Sequence, residues 1–70
     1  MDVLDLHGIR HHRVTLLVEN FILLNSTPIR IITGNSPRMK SLTTEVVERY
    51  GFSWSYENDY NLGSIVVNAS

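Results

Sequence analysis

Two amphipathic helix patterns separate short strand-like segments in this chain, and this alternation limits its fold more than any other feature. Between His11 and Asn25 the apolar residues recur at spacings of three and four, which predicts a helix. A second helix is predicted from Pro37, with Ser36 as its N-cap and Gly51 just beyond its end. Its predicted buried stripe consists of Met39, Leu42, Val46 and Tyr50.

Four segments have the pattern of β-strands. Residues 3–6 and 52–57 alternate apolar and polar side chains, 29–32 is a β-branched run, and 64–68 forms the last strand. In the predicted order β-α-β-α-β-β, right-handed crossovers place both helices on one face of the sheet. The predicted fold class is an α/β two-layer sandwich, with a mixed four-stranded sheet and two helices on one face, in a single domain over residues 1–70.

The alternation also predicts which strand residues face the helices. These are Leu4, Leu6, Ile29, Ile31, Phe52, Trp54, Ile65 and Val67, whereas Asp5, Arg30, Ser53 and Ser55 are predicted on the opposite face. A domain of 70 residues has a small core, so its only tryptophan is expected to pack there. Tyr60, in a turn-rich segment, is expected to be the exposed aromatic residue.

Composition and charge limit the classes of function. The chain has no cysteine, which excludes disulfides and thiolate chemistry and predicts a reducing, cytoplasmic compartment. We predict neither a signal peptide nor a membrane span. Residues 1–40 carry five basic and three acidic side chains, and residues 41–70 carry one basic and four acidic ones. A phosphate-binding surface is therefore expected in the first part of the chain.

The first strand ends in Asp5-Leu6-His7-Gly8, a sequence that suggests acid–base chemistry. Two residues apart on a strand, the carboxylate and the imidazole are predicted to leave on the same side. A carboxylate can then fix the tautomer of the imidazole and suit it to proton transfer. The alternative is structural: Asp5 pairs with Arg30 or caps the adjacent loop, and His7 serves only as a hydrogen-bonding residue.

The second strand ends in Thr33-Gly34-Asn35-Ser36 and leads directly into a helix. Free main-chain N–H groups at a helix start favour phosphate binding. Arg38 and Lys40 lie in the first turn, where the helix dipole disfavours cations unless an anion is bound. The alternative is an ordinary capped helix with solvated charges. The carboxyl ends of parallel strands open on one sheet edge, so this turn is predicted close to Asp5 and His7.

Arg10, His11, His12 and Arg13 form a basic segment at the start of the first helix. It is predicted to be a substrate-facing rim. A metal site formed by His7, His11 and His12 is a minority hypothesis, so no metal ligands are assigned.

These motifs together resemble the Smr (small MutS-related) domain family over nearly the whole chain. The resemblance rests on Leu4-Asp5-Leu6-His7-Gly8, Ile29-Arg30-Ile31-Ile32-Thr33-Gly34 and Gly63-Ser64-Ile65-Val66-Val67. It implies a fold like the C-terminal domain of bacterial translation initiation factor three, and endonuclease activity on RNA or DNA. It also implies that Asp5 and His7 are the catalytic residues and that the turn contacts nucleic acid.

The predicted function is therefore cleavage of RNA, or nicking of single-stranded or branched DNA. Together with the basic rim, the predicted nucleic-acid contacts are Gly8, Arg10, His11, Arg13, Thr33, Gly34, Asn35, Ser36, Arg38 and Lys40. No cofactor is required on RNA, whereas hydrolysis of DNA suggests Mg²⁺. The predicted protein is a monomer without a membrane partner.

Departures from the family pattern leave two alternatives open. The first helix begins with His11, His12 and Arg13, where family members tend to be acidic. Ser36, followed by Pro37, stands where the family usually has the second glycine of the turn, which reduces how closely the backbone can approach a phosphate. The first alternative is a nucleic-acid-binding module of the same fold that does not cleave. The second is an interaction domain that docks on a ribosome or a larger nucleic-acid enzyme.

Overall fold

The computed structural model describes residues 1–69 and has the predicted fold class. The elements in chain order are β1 (Asp2–Asp5), α1 (His11–Leu24), β2 (Ile29–Ile32), α2 (Pro37–Arg49), β3 (Phe52–Tyr56) and β4 (Ser64–Ala69). The sheet has the strand order β1-β2-β4-β3. β2 is parallel to β1, and β4 is antiparallel to both of its neighbours, so the sheet is mixed as predicted.

One face of the sheet packs on the two helices and forms the core. Ile29, Ile31, Ile65 and Val67 are fully buried there, and they alternate with more exposed residues along β2 and β4. The helices contribute buried residues Val14, Val18, Ile22, Met39, Val46 and Val47. Leu4, Phe52 and Trp54 are only partly buried but pack against this core, so the predicted helix-facing set is confirmed.

The two helices begin and end with different local contacts. At the start of α2 the Ser36 hydroxyl accepts the Met39 N–H at 3.2 Å, and Gly51, with φ of 82°, donates its N–H to Glu48 at the other end. Among residues 1–69, no side chain caps the start of α1, where Arg10 is the N-cap residue. At its C-terminus the Asn25 amide donates to the Phe21 carbonyl at 2.9 Å, which satisfies one of the orphan carbonyls.

The predicted stripe of α2 is wrong at Tyr50. The buried residues are Met39, Thr43, Val46 and Val47, whereas Tyr50 is 38% exposed. The helix ends at Arg49, and the hydroxyl of Tyr50, the C-cap residue, donates to Glu19 on α1 at 2.6 Å. Strand bounds differ from the prediction by one residue in β1, β3 and β4.

Two further expectations concern aromatic exposure and the membrane. Tyr60 is 98% exposed, as predicted for the turn-rich segment after β3. The indole N–H of Trp54 donates to Glu48 at 2.8 Å while its ring packs on the core. Among residues 1–69, neither helix has the length and apolar character needed to cross a bilayer.

Removing one buried methyl group from the core should lower stability measurably. Ile31→Val is expected to reduce the free energy of unfolding by about 0.5–1.5 kcal/mol, because Ile31 is fully buried between sheet and helices. Leu24→Ala, at a position 81% exposed, should change it by less than about 0.5 kcal/mol. Urea unfolding measures both values, and equal losses would contradict the packing described here.

The hydrogen bond between the helices predicts an unusual tyrosine titration. Donation of the Tyr50 hydroxyl to Glu19, reinforced by the negative charge of that carboxylate, raises the pKa of Tyr50 above its ordinary value of 10.0. In Glu19→Gln the pKa of Tyr50 should fall toward the ordinary value, as measured by ultraviolet absorbance of the phenolate with Tyr50→Phe to assign the signal. An unchanged titration would contradict the contact.

The same bond fixes the sign of a pH effect on stability. The pKa of Tyr50 is higher in the folded than in the unfolded chain, so the stabilisation is fully present below the ordinary pKa. It is lost as the pH rises through the raised pKa. The difference in stability between wild type and Tyr50→Phe should therefore shrink in that alkaline range.

Candidate nucleic-acid interface

Three connecting segments meet at the carboxyl edge of β1 and β2. The first turn is residues 6–9, the second turn is residues 33–36, and the β3–β4 loop is residues 57–63. The parallel register aligns Asp5 with Ile32, and the Leu6 N–H donates to the Ile32 carbonyl at 2.9 Å. Because α1 follows the first turn and α2 follows the second, both helices also begin at this edge. The predicted proximity of these two motifs is confirmed.

The first turn is held by main-chain contacts on either side of His7. The Ile9 N–H donates to the Leu6 carbonyl at 3.0 Å, and Gly8 has φ of 78°, which favours glycine at the third position of such a turn. An Asp5 carboxylate oxygen accepts the main-chain N–H of His7 at 2.8 Å. Leu6 is fully buried and anchors the turn to the core.

The prediction that Asp5 and His7 share one side of a strand is wrong. β1 ends at Asp5, and His7 lies in the turn beyond it. Arg30 does not pair with Asp5 but with Glu57. Within residues 1–69 the His7 imidazole makes no hydrogen bond, and both side chains are exposed. Asp5 therefore fixes the main chain of His7. This is the predicted alternative in which Asp5 caps the adjacent loop.

The second turn is held by the loop that precedes β4. The carbonyl of Gly63 accepts the N–H groups of Thr33 and Gly34 at 2.8 and 2.9 Å. The Thr33 hydroxyl donates toward the carbonyls of Gly34 and Gly63, and the residue is 4% exposed. Thr33 and the Gly34 amide, both predicted as nucleic-acid contacts, are thus occupied by structural hydrogen bonds.

Other donors of the second turn are free. The main-chain N–H groups of Asn35 and Ser36 make no hydrogen bond within the described part of the chain. Gly34 has φ of 70°, which turns the chain sharply just before the helix. The predicted phosphate cradle is therefore reduced to the N–H groups of Asn35, Ser36 and Arg38, because Pro37 has none and those of Met39 and Lys40 are donated to Ser36.

The predicted basic residues are divided between two helix starts. Arg10, His11 and Arg13 are exposed at the start of α1, and Arg38 is exposed in the first turn of α2. The ammonium of Lys40 lies over the Tyr56 ring, 5.4 Å from its centroid, which occupies it in a cation–π contact. The exposed cations thus flank the two turns.

A cleft opens on the face of the sheet opposite the helices. Its volume is about 250 Å³, and its lining includes Arg30, Ile32, Gly34, Asn35, Glu57 and Ser64. The Arg30 guanidinium donates to the Glu57 carboxylate across the sheet. The cleft thus shares Gly34 and Asn35 with the second turn, whereas Arg30, Glu57 and Ser64 were not among the predicted site residues.

Part of this cleft could have been found from the strand alternation. Arg30 interrupts an apolar run, and Glu57 follows the alternating strand at a position that points away from the helices. The pairing itself depends on β4 lying between β2 and β3, because Arg30 and Glu57 are 27 residues apart. No local pattern carries that information.

Metal ligands do not gather at this edge. Residues 1–69 contain no group of three or more histidine and acidic side chains placed to hold a metal ion.

Comparison with known proteins adds no assignment, since no family model, no curated protein and no solved structure matches this chain.

The contact between Gly63 and the second turn should be sensitive to an added side chain. A Cβ at residue 63 would lie 3.2 Å from the Cα and carbonyl carbon of Gly34. Gly63→Ala is expected to destabilise the domain by about 1–3 kcal/mol through overpacking. It should also shift the amide resonances of Thr33 and Gly34 in ¹H–¹⁵N spectra, because their hydrogen bonds to residue 63 must lengthen.

Gly8→Ala is the matched control for that experiment. A Cβ at Gly8 meets nothing within 4 Å, but the φ of 78° still strains an L-residue. It should cost about 1–2 kcal/mol and leave the resonances of Thr33 and Gly34 in place. Equal shifts from both variants would show that the second turn does not depend on Gly63.

Proposed function

We propose that this protein is a nucleic-acid-binding endonuclease of the Smr type that cleaves the phosphodiester backbone. The observation that carries the proposal is the parallel pairing of β1 and β2, which brings the exposed His7 and the second turn to one edge. An imidazole without a protein partner is available for proton transfer at a substrate. Free amides and exposed arginines at the same edge suit the phosphates of a bound strand.

Each group has a definite role in this proposal. The amides of Asn35 and Ser36 and the Arg10, Arg13 and Arg38 side chains bind backbone phosphates. His7 exchanges a proton with the reacting or leaving oxygen. Asp5 acts as a positioning residue, since its carboxylate holds the main chain of His7. On RNA, attack by the 2′-hydroxyl breaks the P–O5′ bond and leaves a 2′,3′-cyclic phosphate and a 5′-hydroxyl without a metal. Hydrolysis of DNA calls for a divalent ion such as Mg²⁺.

A non-cleaving module of the same fold is the second candidate. It is favoured by the same contact between the Asp5 carboxylate and the main chain, because no carboxylate then orients the imidazole. Ser36, at the position of the family's second glycine, also accepts the Met39 N–H and so fixes the end of the turn. Both candidates place the protein in the cytoplasm, in keeping with the absence of cysteine.

Cleavage of labelled RNA and DNA by the purified protein, with EDTA or with Mg²⁺, tests the proposal. His7→Ala should lower the rate about 10²- to 10⁴-fold, the range typical of a lost acid–base group. His12→Ala is the matched control, since His12 is also exposed at this edge and belongs to the basic rim but is assigned no part in proton transfer. Binding of RNA or DNA without cleavage by wild type would favour the second candidate. Binding only to a ribosome or larger enzyme would favour the docking alternative.

The role of Asp5 can be tested separately. Asp5→Asn retains a side-chain oxygen that can accept the His7 N–H, whereas Asp5→Ala loses it. If Asp5 positions the turn, Asp5→Asn should keep most of the activity and Asp5→Ala should lose about tenfold or more. If both variants lose activity equally, the negative charge itself is required and the positioning role is wrong.

A further inference from the structure

The cleft on the open face is built on one central side chain. Ile32 lies between Asp5 of β1 and Ser64 of β4 in the sheet register. Adjacent strands are about 4.8 Å apart, so a group seated on Ile32 lies next to Asp5. The volume of about 250 Å³ is below the roughly 300–1,000 Å³ of sites for drug-sized ligands. The cleft therefore suits one small flat group.

Two polar atoms in the cleft wall are buried without a partner. Ser64 is 2% exposed, and its hydroxyl makes no hydrogen bond within residues 1–69. The Nε of Arg30 is also buried and unpaired in this part of the chain. Buried polar groups in folded proteins nearly always have a partner. These two atoms thus offer a hydroxyl and an N–H donor to a ligand in the cleft.

The charges of the cleft cancel, which argues against an anion. The guanidinium of Arg30 is paired with the Glu57 carboxylate, whose other oxygen accepts the Asn61 amide at 3.4 Å. A phosphate in the cleft would lie beside this carboxylate and be repelled. A neutral ring with donors and acceptors on its edge would instead find partners of both kinds.

We propose that this cleft binds one unpaired nucleobase of the strand whose phosphates lie on the second turn. The inference rests on the proposed nucleic-acid binding and names its substrate class. The ring packs on Ile32, and its edge meets the Ser64 hydroxyl and the Arg30 Nε. A base reaches such a cleft only when it is unstacked and unpaired. The domain therefore selects single strands, loops or frayed ends over continuous duplex.

Abasic substitution on the wild-type protein tests this proposal without any variant. Affinities are measured for a single-stranded RNA and DNA, for their duplexes, and for strands in which one abasic nucleotide is moved along the sequence. An abasic nucleotide retains its phosphate but lacks the base. At the position that occupies the cleft, affinity should fall about tenfold, and substitution elsewhere should have a smaller effect. The duplexes should bind more weakly than the single strands.

A pair of serine variants locates the effect in the structure. Ser64→Ala should weaken binding of the intact strand about fivefold but leave unchanged the affinity for the strand that is abasic at the sensitive position. Ser55→Ala is the control, because Ser55 lies on the same face in register with Val66 but is exposed outside the cleft lining. It should not change either affinity.

The outcomes separate this inference from the proposed function. If wild type binds intact and all abasic strands equally, the base site is wrong although nucleic-acid binding stands. If Ser64→Ala weakens both kinds of strand alike, the hydroxyl does not contact the base and the assignment is overturned. If no strand binds at all, both the proposed function and this inference are wrong. Should Ser64→Ala not fold, the abasic series on wild type still decides.

Discussion

The main-chain carbonyl of Gly63 is the contact on which the candidate interface depends. It accepts two N–H groups of the second turn, and the Thr33 hydroxyl approaches it at 3.3 Å. The absence of a side chain at residue 63 lets the loop lie against the Gly34 backbone. A turn at the end of β2 is thereby fixed by a residue about 30 positions later in the chain. The conformation of the turn thus depends on β4 being paired between β2 and β3.

The order of elements and the core were predictable because both are encoded locally. Periodicity of three and four marks α1, and Ser36 before Pro37 marks the start of α2. Right-handed crossovers then leave few ways to place two helices on four strands. The error at Tyr50 has an equally local cause. The predicted stripe extends to Tyr50, although Gly51 in a left-handed conformation ends the helix at Arg49, one residue earlier.

The side-chain geometry of the site was less predictable, since it depends on hydrogen bonds that compete for the same atoms. The sequence places Asp5 two residues before His7, and that spacing suits both an imidazole partner and a main-chain cap. In the structure the cap occurs, because the strand ends at Asp5 and the next turn leaves the His7 N–H without a strand partner. Likewise Thr33 and Gly34 are residue types typical of an anion-binding turn, yet their main-chain N–H groups donate to the carbonyl of Gly63, which is distant in sequence.

The distribution of charge in the fold separates two kinds of surface along one edge. Basic side chains of the first part of the chain remain exposed at the helix starts, where Arg10, Arg13 and Arg38 have no ion-pair partner within residues 1–69. Arg30, from the same part of the chain, is neutralised by Glu57 from the acidic second part. In the proposed complex the first surface binds phosphates and the second binds a neutral polar group. A nucleotide carries both groups, and the second turn and the cleft are contiguous because they share Gly34 and Asn35.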